Sequence, residues 1–295
     1  MNSNIGYLYY RKYFTDEYIN KCKVENEEYE KEENPVIKIN KEILNGSNID
    51  VLKNNKFEFM KEIQDKLYTE KIYFKITYPG LIIGTGYSHI LKEKEEFKLG
   101  LEFDYTTGLP VINGSSVKGV LRNVFYNEKD DEKLIKEKKS YIEDTLKEVM
   151  KKENIEFNEE FHFEELTNNI FDGKFKENDE NYICMPMNKR DIFLGATIDI
   201  DATAKQMENV KGKNLLGEDY ITPHGKEKDK FKEPNPIKFL KVMPNVVWCF
   251  GFNLKKFNDE ITSEVKKKLF KQILLDVGIG AKTNVGYGRL EFIKY

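Results

Sequence analysis

Residues 277–290, VGIGAKTNVGYGRL, place four glycines (Gly278, Gly280, Gly286 and Gly288) in a span that neither a helix nor a strand can absorb. Glycine enters the positive-φ region freely and weakens helix and strand interiors. The segment therefore has to be a tight connection, and its flanks fix what it connects. Residues 262–277 carry Val265, Leu269, Ile273 and Val277 at helical spacing on one side, and Lys266, Lys267, Lys268 and Lys271 on the other. Thr262 or Ser263 supplies an N-cap, and Gly278 stands where a C-cap glycine ends a helix. Residues 289–294, RLEFIK, then read as a strand. The chain closes as helix, glycine-rich turn, strand.

A second glycine motif lies upstream. Residues 108–122, GLPVINGSSVKGVLR, run from a turn and a strand end through Gly114 into a helix. Ser115 or Ser116 is its expected N-cap, and Val117, Val120, Leu121, Val124 and Phe125 recur at helical spacing up to residue 126. Before it, residues 71–84 and 97–103 alternate as strands do. After it, residues 128–153 hold nine acids and eight bases with sparse apolar positions, which reads as one or two long solvated helices. Residues 191–200 are strand-like, and residues 237–255 contain two strands around Pro244-Asn245. Residues 201–236, rich in Gly, Pro, Asn and Lys, read as a long irregular excursion. The first 70 residues are polar, with 14 acids and 11 bases, an aromatic and basic stretch at 7–13 and a short helix at 57–67. They read as an irregular extension without a core of its own.

Stripped of insertions, the order is strand, helix, two or more strands, helix, strand. That is the split βαβ arrangement of ferredoxin-like domains, shared by RNA-binding modules of the RRM type. The expected fold class is α+β. Residues 1–70 form a polar extension. Residues 71–295 form one ferredoxin-like domain with a charged helical insert at 128–180 and a long loop at 201–236.

Charge narrows the function classes. Lys and Arg number 48 against 51 Asp and Glu, a net charge of −3, so any nucleic-acid site is a local patch and not a global field. From residue 240 onward ten bases face five acids, which supplies such a patch. Only Arg11, Arg122, Arg190 and Arg289 are arginines, and two of them lie in the glycine motifs. Cys22, Cys184 and Cys249 are far apart with no CxxC pair, and His89, His162 and His224 form no HExxH. No metal site, disulfide framework or cofactor is expected. No run of about 18 apolar residues exists and the first ten residues do not read as a secretory signal, so a cytoplasmic protein is expected, with no membrane partner.

Three segments carry possible chemistry. In the first, the amides at the start of the helix attract phosphate. Lys118 and Arg122 share one helix face, and Gly119 lets another chain or a nucleic acid approach; an ordinary capped amphipathic helix accounts for the same residues. The second, 277–290, is not a Walker A loop, because Ala281 precedes Lys282 and the loop follows a helix. Exposed amides with Lys282, Thr283, Tyr287 and Arg289 suit a phosphate backbone and a stacked base; a tight helix-to-strand turn suits them as well. The third, 215–240, holds Asp219, Thr222 and His224, a set open to acid–base work or to a plain surface loop.

Together these segments resemble the RAMP superfamily of CRISPR proteins. The marks are GSSVKGVLR at residues 114–122 and the glycine-rich loop at 278–288. Within that superfamily, GIGAKTNVGYGRL combined with DYITPH and PNPIKFLKV is similar to the sixth subunits of Cmr-type (type III-B) effector complexes. The resemblance covers residues 72–295. It implies a non-catalytic, RNA-binding subunit that contacts guide RNA (crRNA) towards its 3′ end. Target RNA and other Cmr-type RAMP subunits are the further implied partners. The implied RNA contacts are Ser115, Ser116, Lys118 and Arg122 on the helix, and Lys282, Thr283, Tyr287 and Arg289 on the loop. An alternative is also implied: related proteins are metal-independent endoribonucleases that process guide precursors, and His89 would be the base here.

Overall fold

The computed structural model describes residues 4–15, 34–54, 57–83, 95–97, 101–157, 162–178, 181–222 and 236–294. The N-terminal segment is helical where described: α1 (Ile5–Tyr10), α2 (Pro35–Gly46), α3 (Ile49–Leu52) and α4 (Glu58–Leu67). Strand β1 (Glu70–Ile76) leads to the short β2 (Val111–Ile112), α5 (Gly114–Asn123) and the long α6 (Glu132–Lys152). Helix α7 (Phe163–Thr167), a π-helical turn (Asn168–Asp172) and the hairpin β3 (Lys174–Lys176) and β4 (Tyr182–Cys184) complete the insert. Then come β5 (Ile192–Ile198), α8 (Ile200–Gln206), β6 (Leu216–Ile221), β7 (Ile237–Val242), β8 (Val247–Asn253), α9 (Ser263–Val277) and β9 (Leu290–Phe292).

The central sheet is antiparallel, in the order β2-β5-β8-β1-β9. The chain is therefore an α+β protein. One sheet face carries Phe74, Phe250 and Phe252, and α9 buries Phe270 against Phe252 and Phe193. Helix α6 packs outside α9, where Tyr141 donates its hydroxyl to Asp276 at 2.7 Å. The opposite face is covered over β5 and β8 by α4. Gln64 donates to Thr197 at 2.8 Å, and the Tyr68 ring lies where a Cβ on Gly251 would stand.

Several expectations change. The N-terminal segment is not irregular, because its helices sink Ile5, Leu8, Tyr9, Val36, Ile39 and Ile43 into the same core as the sheet. The strand expected at 97–103 is represented among the described residues by a single bridge, Phe103 to Pro110. The excursion at 201–236 is ordered where described, since α8 and β6 lie in it, and β6 pairs with β7 along its full length. Strands β7 and β8 flank one turn but enter different sheets. The acidic and basic stretch at 128–153 contains the single helix α6, and it is not wholly solvated: Ile142, Leu146, Val149 and Met150 are buried.

Lys266 does not belong to the lysine face of α9. It is fully buried, with its Nζ 2.6 Å from Asp191 Oδ2 and 3.3 Å from Asn169 Oδ1. Burial works against charge on both partners, pushing the Asp191 carboxyl up and the Lys266 ammonium down. No helix among the described residues is long and apolar enough to cross a membrane.

Candidate nucleic-acid interface

The two glycine motifs, residues 108–122 and 277–290, meet in space. Residues 77–83 are hydrogen-bonded to the 277–290 loop, and Leu81 and Ile83 line the space between it and α5. Thr77 donates its amide to Arg289 O at 3.0 Å, Ala281 to Ile82 O at 2.7 Å, and Gly288 to Gly80 O at 2.8 Å. Between loop and helix lies a groove of about 270 Å³, lined on the α5 side by Ser116 and Val120 and on the loop side by Ile279, Gly280 and Ala281.

The N-cap of helix α5 is Asn113, two or three residues before the expected Ser115 or Ser116. Its side chain donates to Glu102 at 2.6 Å and makes no cap hydrogen bond. Ser115 is thus exposed in the first turn, and Ser116 is half-buried at the groove. Gly114 is required because the helix start presses on the bulge of β5: a Cβ there would stand 2.0 Å from Phe193 O. Gly119 has no such reason. It is exposed in mid-helix, and a Cβ there would meet nothing within 4 Å.

Lys118 and Arg122 do share one face. The Lys118 ammonium lies 5.9 Å above the Phe193 ring and the Arg122 guanidinium 5.4 Å above the Phe171 ring, and those two rings stack at 5.7 Å. Their availability differs. Arg122 pairs with Asp172 at 3.3 Å, whereas Lys118 has no carboxylate partner among the described residues.

On the loop, all four glycines adopt positive φ, so the turn reading is correct for each of them. Lys282 is exposed, lacks an ionic partner among the described residues and itself adopts φ 60°. A left-handed residue followed by the right-handed turn Thr283–Val285 aims successive amides one way, which forms a concavity for an anion. Arg289 is turned inward, donating from Nη1 to Asp276 O at the end of α9 at 2.6 Å. Tyr287 is also held: its hydroxyl donates to Asp219 Oδ2 at 2.7 Å and its ring meets Phe239 edge-on at 6.1 Å. Burial, and then the Asp219 carboxylate, push its hydroxyl up to about 12. Asp219 also accepts from Lys241 at 2.7 Å. Burial opposes its charge, but the Lys241 and Tyr287 hydrogen bonds prevail and hold the carboxyl below the usual range.

Sequence reasoning missed Tyr78. It precedes the Pro79-Gly80 turn beside Gly286, and it is 84% exposed. The signal was the TYPG turn itself, which places an aromatic at a turn where nothing covers it. Asp219 was singled out for acid–base chemistry with His224; it serves as the anchor of Tyr287, and both His224 and His89 lie outside the described residues. Among the described residues no group of three or more His, Cys, Asp or Glu is placed to hold a metal ion.

The RAMP superfamily model matches residues 73–291, from within β1 to within β9. The chain belongs to the RAMP superfamily. A subunit of Saccharolobus solfataricus described as "CRISPR system CMR subunit Cmr6" is 26% identical to this RAMP protein over 244 residues. That match takes in 81% of this chain and 63% of the relative's own length. Among solved structures, a chain of "Cryo-EM structure of the Type III-B Cmr-beta bound to cognate target RNA" superposes with a TM-score of 0.50 at 22% identity, covering 99% of this chain and 87% of that one. Cmr6 from Pyrococcus furiosus gives a TM-score of 0.39 at 20% identity over 76% of this chain and 97% of its own. The Cmr-beta superposition bears on the fold alone.

Proposed function

We propose that this RAMP protein is a non-catalytic RNA-binding subunit of a type III-B CRISPR ribonucleoprotein effector complex. It holds guide RNA towards the guide's 3′ end, next to target RNA and other Cmr-type RAMP subunits, in the cytoplasm. What supports this reading is the meeting of the two glycine motifs, with Lys118, on the side of α5 away from the groove, and Lys282, on the loop, both lacking an ionic partner among the described residues, and with Gly119 open. A glycine in a helix interior costs about 1 kcal/mol relative to alanine, and nothing among the described residues requires one at 119. A partner that lies close to α5 does. The RRM route, with bases laid on an open sheet, is closed over β5 and β8 by α4, which leaves the helix and loop side.

Lys118 and the Lys282 concavity take phosphates, with Ser115, Ser116 and Thr283 beside them. Tyr78 takes over the stacking role expected of Tyr287. Arg122 and Arg289 shape the surface from positions already engaged within the chain. We read the core as ferredoxin-like. With β1, β5, β8 and β9 counted as strands one to four, the sheet order is four-one-three-two, α5 follows the first strand and α9 the third. Residues before 71 then extend that domain, and 128–180 and 201–236 are its insertions.

Purifying the native complex through this chain and sequencing its RNA tests the proposal. Short guides sharing a repeat-derived 5′ tag are expected; recovery of the chain without such RNA would overturn it. Incubating the purified chain with repeat RNA and a chelator tests the non-catalytic part, and specific cleavage lost in His89→Ala would contradict it.

A further inference from the structure

The aromatic, basic stretch at residues 7–13 is not used by the groove, and the structure gives it a shape of its own. Helix α1 buries Ile5, Leu8 and Tyr9. Its other side carries Tyr7, Tyr10 and Arg11 at spacings of three and four, which share one face. Tyr7 is 55% exposed. Tyr10 stacks on Tyr105 with ring centroids 5.9 Å apart and 30° between the planes. Tyr105 is 80% exposed.

This ring pair is braced from beneath. The Tyr10 hydroxyl accepts from Phe103 N at 3.0 Å and donates to Leu101 O at 3.4 Å. The turn that presents Tyr105 is pinned by Asp104, whose Oδ1 accepts from Thr106 N, Thr107 N and Thr107 Oγ1 at 3.1, 2.8 and 2.9 Å. Asn4 Nδ2 donates to Tyr105 O at 3.4 Å. Tyr105 therefore presents an exposed ring whose backing and turn are both fixed by hydrogen bonds. Arg11 is exposed, and of the four arginines it is the one without a hydrogen-bond or ion-pair partner among the described residues.

We infer that Tyr105, backed by Tyr10, is a second nucleic-acid contact, with Tyr7 and Arg11 on the same stretch of chain as Tyr10: a stacking platform for unpaired bases of single-stranded RNA. This rests on the RNA-binding reading above. A protruding ring suits a base of any identity, and the exposed Arg11 guanidinium, without a side-chain partner among the described residues, suits a phosphate of the same strand. The platform is sequence-tolerant for that reason, and it gives the strand a contact separate from the α5 groove.

The test uses the full chain and a labelled, unstructured oligouridine in fluorescence anisotropy titrations. Tyr105→Ala is expected to weaken binding by about 5- to 150-fold, the range for losing one stacked base. Tyr105→Phe stays within about twofold because the π-face remains, and Tyr105→Leu stays as weak as the alanine variant. Arg11→Gln lowers the salt slope by about 0.7. Melting temperatures match the wild type throughout. Full affinity in Tyr105→Ala overturns the inference, as does full affinity in Tyr105→Leu, which has no π-face to stack on a base. A fall in melting temperature that tracks the lost affinity overturns it too. Lys118→Ala separates the two claims. Weakening there with no effect at Tyr105 removes the platform and keeps the groove; a wild-type chain that binds no RNA removes both.

Discussion

Asp219 and Tyr287 lie 68 positions apart, and their hydrogen bond fastens the glycine loop to the β6–β7 ribbon. Asp219→Asn is expected to bring the Tyr287 hydroxyl down from about 12 towards its ordinary value of about 10. Absorbance titration of tyrosinate, with Tyr287→Phe as the blank, reads this directly; no change would break the assignment. Stability follows the same pair. The Asp219 carboxyl is depressed in the folded chain, so its contribution is complete above about pH 4 and disappears as the pH falls below that. The Tyr287 hydroxyl is raised, so its contribution is complete below about pH 10 and disappears on the way to about pH 12. The loop glycines differ in severity. A Cβ on Gly288 would stand 1.8 Å from Ile279 O, whereas one on Gly286 meets only Pro79 at 3.5 Å. Gly288→Ala should cost about 3 kcal/mol or more, and Gly286→Ala about 1 kcal/mol, in denaturant melts. Composition marked this loop as special. It gave no sign that Tyr287 and Arg289 are spent inside the chain, because their partners come from distant positions.

Helices α5 and α9 were legible from the spacing of their apolar residues, since each buries one stripe against the sheet, and Thr262 does cap α9 by accepting from Val265 N at 3.3 Å. What spacing could not show is which exposed position lacks a reason within the chain. At Gly119, alanine removes a helix penalty and meets no neighbour. Gly119→Ala should leave thermal stability equal or raise it by up to about 1 kcal/mol while weakening RNA binding. Unchanged binding in that variant would mean that nothing approaches α5 there. Lys266 was equally hidden, because by pattern it joins a run of surface lysines. Its partner Asp191 stands 75 positions away, and the pair ties the insert, β5 and α9 together. Lys266→Met leaves the Asp191 carboxyl buried without its ammonium partner, and should cost about 3–5 kcal/mol. The double variant with Asp191→Asn should lose less than Lys266→Met alone, as read by chemical denaturation.

At the scale of the whole molecule, the strand and helix order was readable because the central strands are strongly apolar and the turns carry Gly, Pro and Asn. Of the N-terminal helices α4 was readable at 57–67, whereas α1 and α3 escaped because they are only six and four residues long and α2 because its apolar stripe is diluted by charge; β6 escaped because it alternates weakly inside a polar stretch. The error at β6 has a consequence for mutagenesis: excising residues 205–232 would remove that strand and Asp219, so the product should melt at a lower temperature and not merely fail to assemble. A melting temperature equal to the wild type would show that the ribbon does not support the loop. The proposed function assigns phosphate binding to two lysines that lack an ionic partner among the described residues, Lys118 on α5 and Lys282 on the loop. Its most direct test is the salt dependence of RNA affinity for wild type, Lys118→Ala and Lys282→Ala, on two unrelated single-stranded sequences. The expected result is a fall of about 0.7 in the slope of log affinity against log salt for each variant, alike on both sequences and with unchanged melting temperatures. Unchanged slopes, or a loss confined to one sequence, would contradict it.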